Sequence, residues 1–280
     1  MISFQQIKED KKSLEAAASF LNFVMKKDHF TSKFLEWQYL DNPTGKAIAI
    51  CAFDDGRIVG HYSAQPILSL VDGKITSGLF ILNAAVDPAN QGKGLLRGIA
   101  DRLHEEAAAK GFQFMIGVGN NNSTPIYTKK FGFRLIGPLD VKIGAGIPEG
   151  KSKSPYFYQK TWDQDSLNWR LSNPCYKYSV NQKGGKTIIY KKNYPMLSSI
   201  MGVFGSEPLN HGNLDNKQAG LNLFLGIDSA INWKQIPAYF NFPEFAKPSP
   251  LNLIFRELNG ANFPLSKENI LFRCIDFDAF

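Results

Sequence analysis

Gln91-Gly92-Lys93-Gly94 places two glycines within three positions, after a mostly apolar run and before a segment with apolar residues at helical spacing. Glycine lets the backbone turn sharply and come close to a ligand. The first amides of a helix have no intrahelical partner, and the helix dipole adds partial positive charge there. A phosphate or pyrophosphate suits such a turn, although an ordinary strand-to-helix turn would have the same residues. There is no Gly-Lys-Ser/Thr, so this is not the nucleoside-triphosphate loop, and the glycine spacing does not fit the dinucleotide fingerprint. Farther on, Asn120-Asn121-Asn122 leads into a short helical stretch that carries Tyr127, a side chain that can pack and hydrogen-bond at once. Asp87, before Pro88, reads as a turn or cap residue rather than a base. His61 lies on an expected strand and reads as a structural histidine, while His104 is expected to face solvent. No spacing supports a Ser-His-Asp or Cys-His arrangement, and none resembles a metal site.

The elements that must position these residues alternate. Ile2–Ile7 reads as a strand, and Leu14–Met25 and Thr31–Leu40 read as helices, the second stopped at Asp41-Asn42-Pro43-Thr44-Gly45. Ala47–Phe53 and Arg57–Ser63 form an expected hairpin through Asp54-Asp55-Gly56, and Ile67–Val71 joins Ile75–Val86 through Asp72-Gly73-Lys74. After the glycines, Leu95, Leu96, Ile99, Leu103 and Ala107 mark one stripe of a helix that stops at Lys110-Gly111. A strand over Phe112–Val118, a helix near Pro125–Lys130 and a strand near Phe133–Ile136 complete a mixed α/β unit in which hairpins lead into a β-α-β crossover.

The chain has 280 residues, of which 44% are hydrophobic and 20% charged. That is ample for a core and excludes a disordered chain, a collagen and a long coiled coil. No apolar run reaches the ~20 residues of a membrane-spanning helix. The N-terminus has no basic patch followed by an apolar stretch, and Cys51, Cys175 and Cys274 form no disulfide framework, so a cytoplasmic location is expected. The net charge of +7 is spread over both halves and suits an anionic small ligand. No nucleic-acid motif accompanies it, so neither a nucleic acid nor a membrane is an expected partner, while a homodimer stays open.

Beyond about Lys151 the expected strands are Thr187–Lys191, Leu221–Gly226, Leu251–Glu257 and Leu271–Phe277. Ser166-Leu167-Asn168-Trp169-Arg170-Leu171-Ser172-Asn173-Pro174 repeats Phe34-Leu35-Glu36-Trp37-Gln38-Tyr39-Leu40-Asp41-Asn42-Pro43, allowing one deletion. A period of about 130 residues is too long for a solenoid; duplication of a domain explains it, the alternative being chance similarity between two amphipathic helices with turn-type ends. The expected division is residues 1–145 and 146–280.

Val86-Asp87-Pro88-Ala89-Asn90-Gln91-Gly92-Lys93-Gly94-Leu95-Leu96 resembles motif A of the GNAT acetyltransferase superfamily, Gln/Arg-x-x-Gly-x-Gly/Ala. Gln91 and Gly94 match; Leu96 stands where the family prefers Gly or Ala. Asn120 to Phe133 resembles motif B, with one extra residue between Tyr127 and Gly132-Phe133. The resemblance covers about residues 1 to 145, and the Trp37…Asn42-Pro43-x-Gly45 segment is similar to a bacterial subgroup with a second, degenerate GNAT-like half. It implies a GNAT-like acyl-CoA N-acyltransferase fold, duplicated, with the C-terminal copy lacking the glycine-rich turn. It implies acetyl-CoA as co-substrate, no metal, and a small-molecule primary amine, such as an amino sugar, as acceptor. The backbone of Ala84, Ala85 and Val86 would meet the acetyl carbonyl and pantetheine amides. Gln91 and the amides of Gly92, Lys93, Gly94, Leu95, Leu96 and Arg97 would hold the pyrophosphate. Asn120 or Asn122 would touch the pantetheine, and Tyr127 would protonate the departing thiolate. The amine would attack directly in a ternary complex. The alternative is a GNAT-fold protein that binds acyl-CoA or another ligand without transferring anything.

Overall fold

The structure is a computed structural model and describes residues 1–150, 155–205, 209, 213–214, 220–243 and 249–277. Local chemistry accounts for its first elements. Strand β1 (Ile2–Gln6) leads to helix α1 (Lys11–Met25), where Asp10 accepts the Ser13 amide at 2.9 Å; Thr31 caps helix α2 (Ser32–Tyr39) in the same way through Phe34. Strands β2 (Ile48–Asp54), β3 (Arg57–Val71) and β4 (Lys74–Val86) are joined by Asp55-Gly56 and Asp72-Gly73. All four turn residues have positive φ, the geometry that two-residue hairpins demand. Two strands were expected where β3 runs unbroken; Pro66 sits within it opposite Leu79, and the strand continues to pair on both sides of it.

Then come α3 (Leu95–Ala109), β5 (Phe114–Gly119), α4 (Thr124–Lys130), β6 (Arg134–Pro138) and β7 (Asp140–Gly144). The second half holds β8 (Tyr158–Lys160), α5 (Gln164–Leu171), β9 (Ser179–Lys183), β10 (Lys186–Tyr194), β11 (Leu197–Phe204), β12 (Asn213–Leu214), β13 (Leu221–Asp228), β14 (Tyr239–Asn241), β15 (Asn252–Glu257) and β16 (Ile270–Phe272). The strand expected to reach Phe277 stops at Phe272, and Cys274–Asp276 form a 3₁₀ turn. Among the described residues one mixed sheet of 16 strands runs through both halves.

The order in the first half is β1-β2-β3-β4-β5-β15-β6. Strand β15 lies antiparallel between β5 and β6, with Phe255 opposite both Ile116 and Arg134. Residues that the expected division at 145 assigns to the second half therefore complete the first half's sheet. Alternation along these strands divides the core. Phe114, Ile116, Leu253 and Phe255 face a core shared with the second half; Met115 and Ile254 face α3, where Ile99 and Leu103 pack.

Two contacts shape the site. At the first, His61 pairs with Ala85 and Ser63 with Leu82, so Asn83 and Ala84 together oppose Tyr62 in a β-bulge. Asn83 takes φ +49° there. Its side-chain amide donates to Gln38 Oε1 at 2.7 Å and to the Tyr39 hydroxyl at 2.8 Å, and its carbonyl lies 2.8 Å from His61 Nδ1. The Tyr39 hydroxyl lies 3.3 Å from His61 Nε2. A neutral His61 with its proton on Nδ1 satisfies both contacts. At the second, Trp37 and Trp169 stack at 4.8 Å, and each indole N–H donates to the other's backbone carbonyl, at 2.8 and 3.0 Å. The two repeated segments thus meet in a reciprocal pair. Both Asn-Pro sequences form the same turn: Asn42 accepts from the Thr44 amide, and Asn173 from the amides of Cys175 and Tyr176.

His104 departs from its expected solvent-facing position. It is 6% exposed, 2.7 Å from Arg256 and against Phe131 and Phe133, because β15 and α4 cover that side of α3. Burial depresses the pKa of His61 to about 4. Burial and then the Arg256 charge depress that of His104 to about 3. Each ring is neutral in the folded protein and gains its proton on unfolding, so its stabilisation is present above the ordinary histidine pKa and drains as pH falls below it. Between pH 6 and 5 each should remove about 1 kcal/mol per pH unit. Urea unfolding across this range, with ring NMR signals that stay neutral at pH 6, checks it. Trp169→Ala should cost about 3–5 kcal/mol by the same denaturation, and less than additively with Trp37→Ala, since each removes the other's partner.

Candidate active site

Strands β4 and β5 run parallel and share a ladder only over Gly78–Phe80 with Phe114–Ile116. Beyond it β4 continues to Val86 and β5 to Gly119, and the Asn83 bulge redirects β4 within this stretch. After Val86, Asp87 caps a 3₁₀ turn over Pro88–Asn90 through the Ala89 amide, as expected of a turn residue. The chain then reverses into α3. Gly92 and Gly94 have φ of +78° and +75°, and a Cβ built on either would meet nothing within 4 Å. Backbone geometry, rather than crowding, requires glycine there. Gly94 caps α3 without any side-chain hydrogen bond, and the first amides of this 15-residue helix have no intrahelical partner and none among the other described residues.

A cavity of about 640 Å³ lies between these features. Ala84, Ala85 and Val86 form one wall; Gln91, Gly92, Gly94, Leu95, Leu96 and Arg97 form another; Asn122 closes it from the α4 side. Sequence reasoning missed four lining residues, Asn90, Ile126, Lys130 and Phe131. Asn90 and Ile126 are immediate neighbours of the singled-out Gln91 and Tyr127, a signal that was available. Lys130 and Phe131 reach the cavity only because α4 packs beside α3. Arg97 makes that junction, with Nε 2.8 Å from the Asp101 carboxylate and Nη1 donating to the Lys130 carbonyl at 3.1 Å.

Three expected site residues do not line the cavity. Lys93 is exposed and donates to Asn90 Oδ1 at 2.9 Å. Asn120 turns its side chain back, accepting from the amides of Asn122 and Ser123, and so organises the start of α4. Tyr127 is 7% exposed, in the core against Tyr62, Phe131 and Phe133. The helix turns Ile126 toward the cavity and its successor inward, and burial raises the phenol pKa well above its ordinary value. His61 is sealed beneath the bulge. Among the described residues no group of three or more His, Cys, Asp or Glu is placed to hold a metal, and no helix is long and apolar enough to cross a membrane.

Residues 7–136 match the family model of the acetyltransferase (GNAT) domain. No curated protein matches the chain. Among solved structures, a probable N-acyltransferase from Enterococcus faecalis V583 is similar over 92% of this chain and 73% of its own, with a TM-score of 0.65 and 11% identity. Eis1 from Mycobacterium abscessus is similar over 92% and 74%, with a TM-score of 0.57 and 13% identity. A GCN5-related N-acetyltransferase from Anabaena variabilis is similar over 90% and 72%, with a TM-score of 0.59 and 11% identity. These likenesses establish a shared fold over nearly the whole chain, and the family match falls on the residues that build the cavity. Residues 7–136, a little under half of the chain, are thus similar to the acetyltransferase (GNAT) domain.

Proposed function

We propose that the protein binds acetyl-CoA in the cavity between Ala84–Val86 and the start of α3 and transfers the acetyl group to a primary amine of a small molecule. The observation that carries this is the continuity of one cavity from the bulged end of β4 to the glycine turn. The pyrophosphate would lie on the amides of Gly92 to Arg97, with the helix dipole behind them and Lys130 beside them. The pantetheine amides would take the place of the ladder that β4 and β5 stop making after Phe80 and Ile116. The backbone at Ala84–Val86 would orient the thioester, and an amine held there would attack it directly. An amino sugar is a fitting acceptor because it presents a primary amine on a small polar body.

As the C–N bond forms and the C–S bond breaks, the amine releases its proton to solvent in the cavity and the leaving thiolate takes one from it. A thiol has a pKa near 8.5, so its anion needs little help near neutral pH. Tyr127, which the family resemblance assigns to this step, is instead a core residue in this reading. A GNAT-fold binder without transfer is the second reading, favoured by that position of Tyr127.

Isothermal titration of acetyl-CoA should show saturable binding, and Gly94→Trp should abolish it by filling the turn and imposing a residue at positive φ. No binding at about 1 mM coenzyme would remove the proposal. An amine screen that follows free thiol release should find turnover; saturable binding with no turnover for any amine would favour the second reading. Tyr127→Phe should leave kcat within about threefold, whereas loss of a general acid costs about 10² or more. A fall of that size would return the proton-transfer role to Tyr127.

A further inference from the structure

The second half repeats the geometry that opens the first cavity. Strands β11 and β13 run parallel and are paired over Leu197–Ile200 with Leu221–Phe224. Strand β11 carries its own bulge, since Ile189 pairs with Gly202 and Tyr190 with Ile200, leaving Met201 as the extra residue. Beyond the ladder the two strands continue to Phe204 and Asp228. A cavity of about 250 Å³ lies at this point, walled by Met201, Val203, Leu225 and Asp228 and by Leu271 and Arg273 from the chain that follows β15. It shares no lining residue with the first cavity.

Its charges are unevenly satisfied. Lys186 on the wall pairs with Glu149 at 2.7 Å. Asp228 accepts from the Tyr156 hydroxyl at 2.8 Å and from the Ala230 amide at 2.9 Å. Arg273 lies with its guanidinium 5.3 Å from the Phe204 ring centre. Its Nη1 is buried and has no hydrogen-bond partner among the described residues, and no carboxylate among them pairs with it. A buried guanidinium N–H without an acceptor favours an anionic oxygen, and a carboxylate matches its fork. The rest of the wall is largely apolar. Asp228 and Glu149 oppose a dianion such as phosphate, and the volume suits a ligand smaller than a drug-sized molecule.

We propose that this second cavity is a ligand site for a small monocarboxylate with an apolar body, held by Arg273. It does not rest on acetyl-CoA binding in the first half. The test uses the full chain labelled with ¹³C-methyl methionine and titrated with hexanoate. Met201 lines the second cavity, whereas Met115 is buried in the first half's core and serves as the internal control. Hexanoate should shift the Met201 methyl signal saturably and leave Met115 in place; hexanamide and inorganic phosphate should not shift it. Arg273→Gln should weaken hexanoate by about tenfold or more, the loss expected for a charge-assisted hydrogen bond. No Met201 shift at about 10 mM hexanoate would overturn the proposal. Equal shifts with hexanamide, or unchanged affinity in Arg273→Gln, would also overturn it. Should that variant not fold, the contrast between hexanoate and hexanamide on the wild-type chain decides the question.

Discussion

The bulge at Asn83 is the constraint on which the first half's cavity depends. Two parallel strands that stayed in register would satisfy each other's backbone and leave no room between them. Here β4 takes one extra residue, Asn83 adopts a left-handed backbone, and a buried set of Gln38, Tyr39 and His61 holds it there. A non-glycine residue in that conformation persists only where its surroundings over-determine it. The polar groups around it are matched donor to acceptor, which a buried network requires. The end of α2 is therefore part of the cavity's support even though it does not line it.

The reciprocal tryptophan pair has a wider reach. It joins α2 to α5, so the helix that supports the bulge also receives the second half. Strand β15 makes the same connection through the sheet, since without it β5 and β6 would not be bridged. Arg256, on that strand, donates to the Phe131 carbonyl and meets His104, fixing α4 against α3 at the cavity's rim. The second half thus positions cavity walls that lie more than a hundred residues away in sequence.

Local structure was legible wherever a few consecutive residues decide it. The Asp-Gly hairpins, the stripe of α3, the glycine turn and the Asn-Pro ends of α2 and α5 all formed where the sequence placed them. Most of the residues expected at the site line one cavity, because turn and strand end are neighbours in the chain. Two side-chain placements depend on packing instead. His104 is covered by residues from β15 and α4, and Tyr127 is turned inward by the packing of a seven-residue helix. Tyr62, against Tyr127, and Arg256, against His104, are both distant in sequence.

By itself, the sequence determined the α/β class, the turn able to face a phosphate, and the repeat around the two tryptophans, since each is carried by short-range spacing and backbone preference. Only the tertiary structure decided that residues 252–257 complete the first sheet, that Asn83 rather than a glycine makes the bulge, and which face of α4 meets the cavity. Those outcomes depend on which distant strands pair and what they bury together, and pairing energy is shared between segments whose sequences do not encode each other's position.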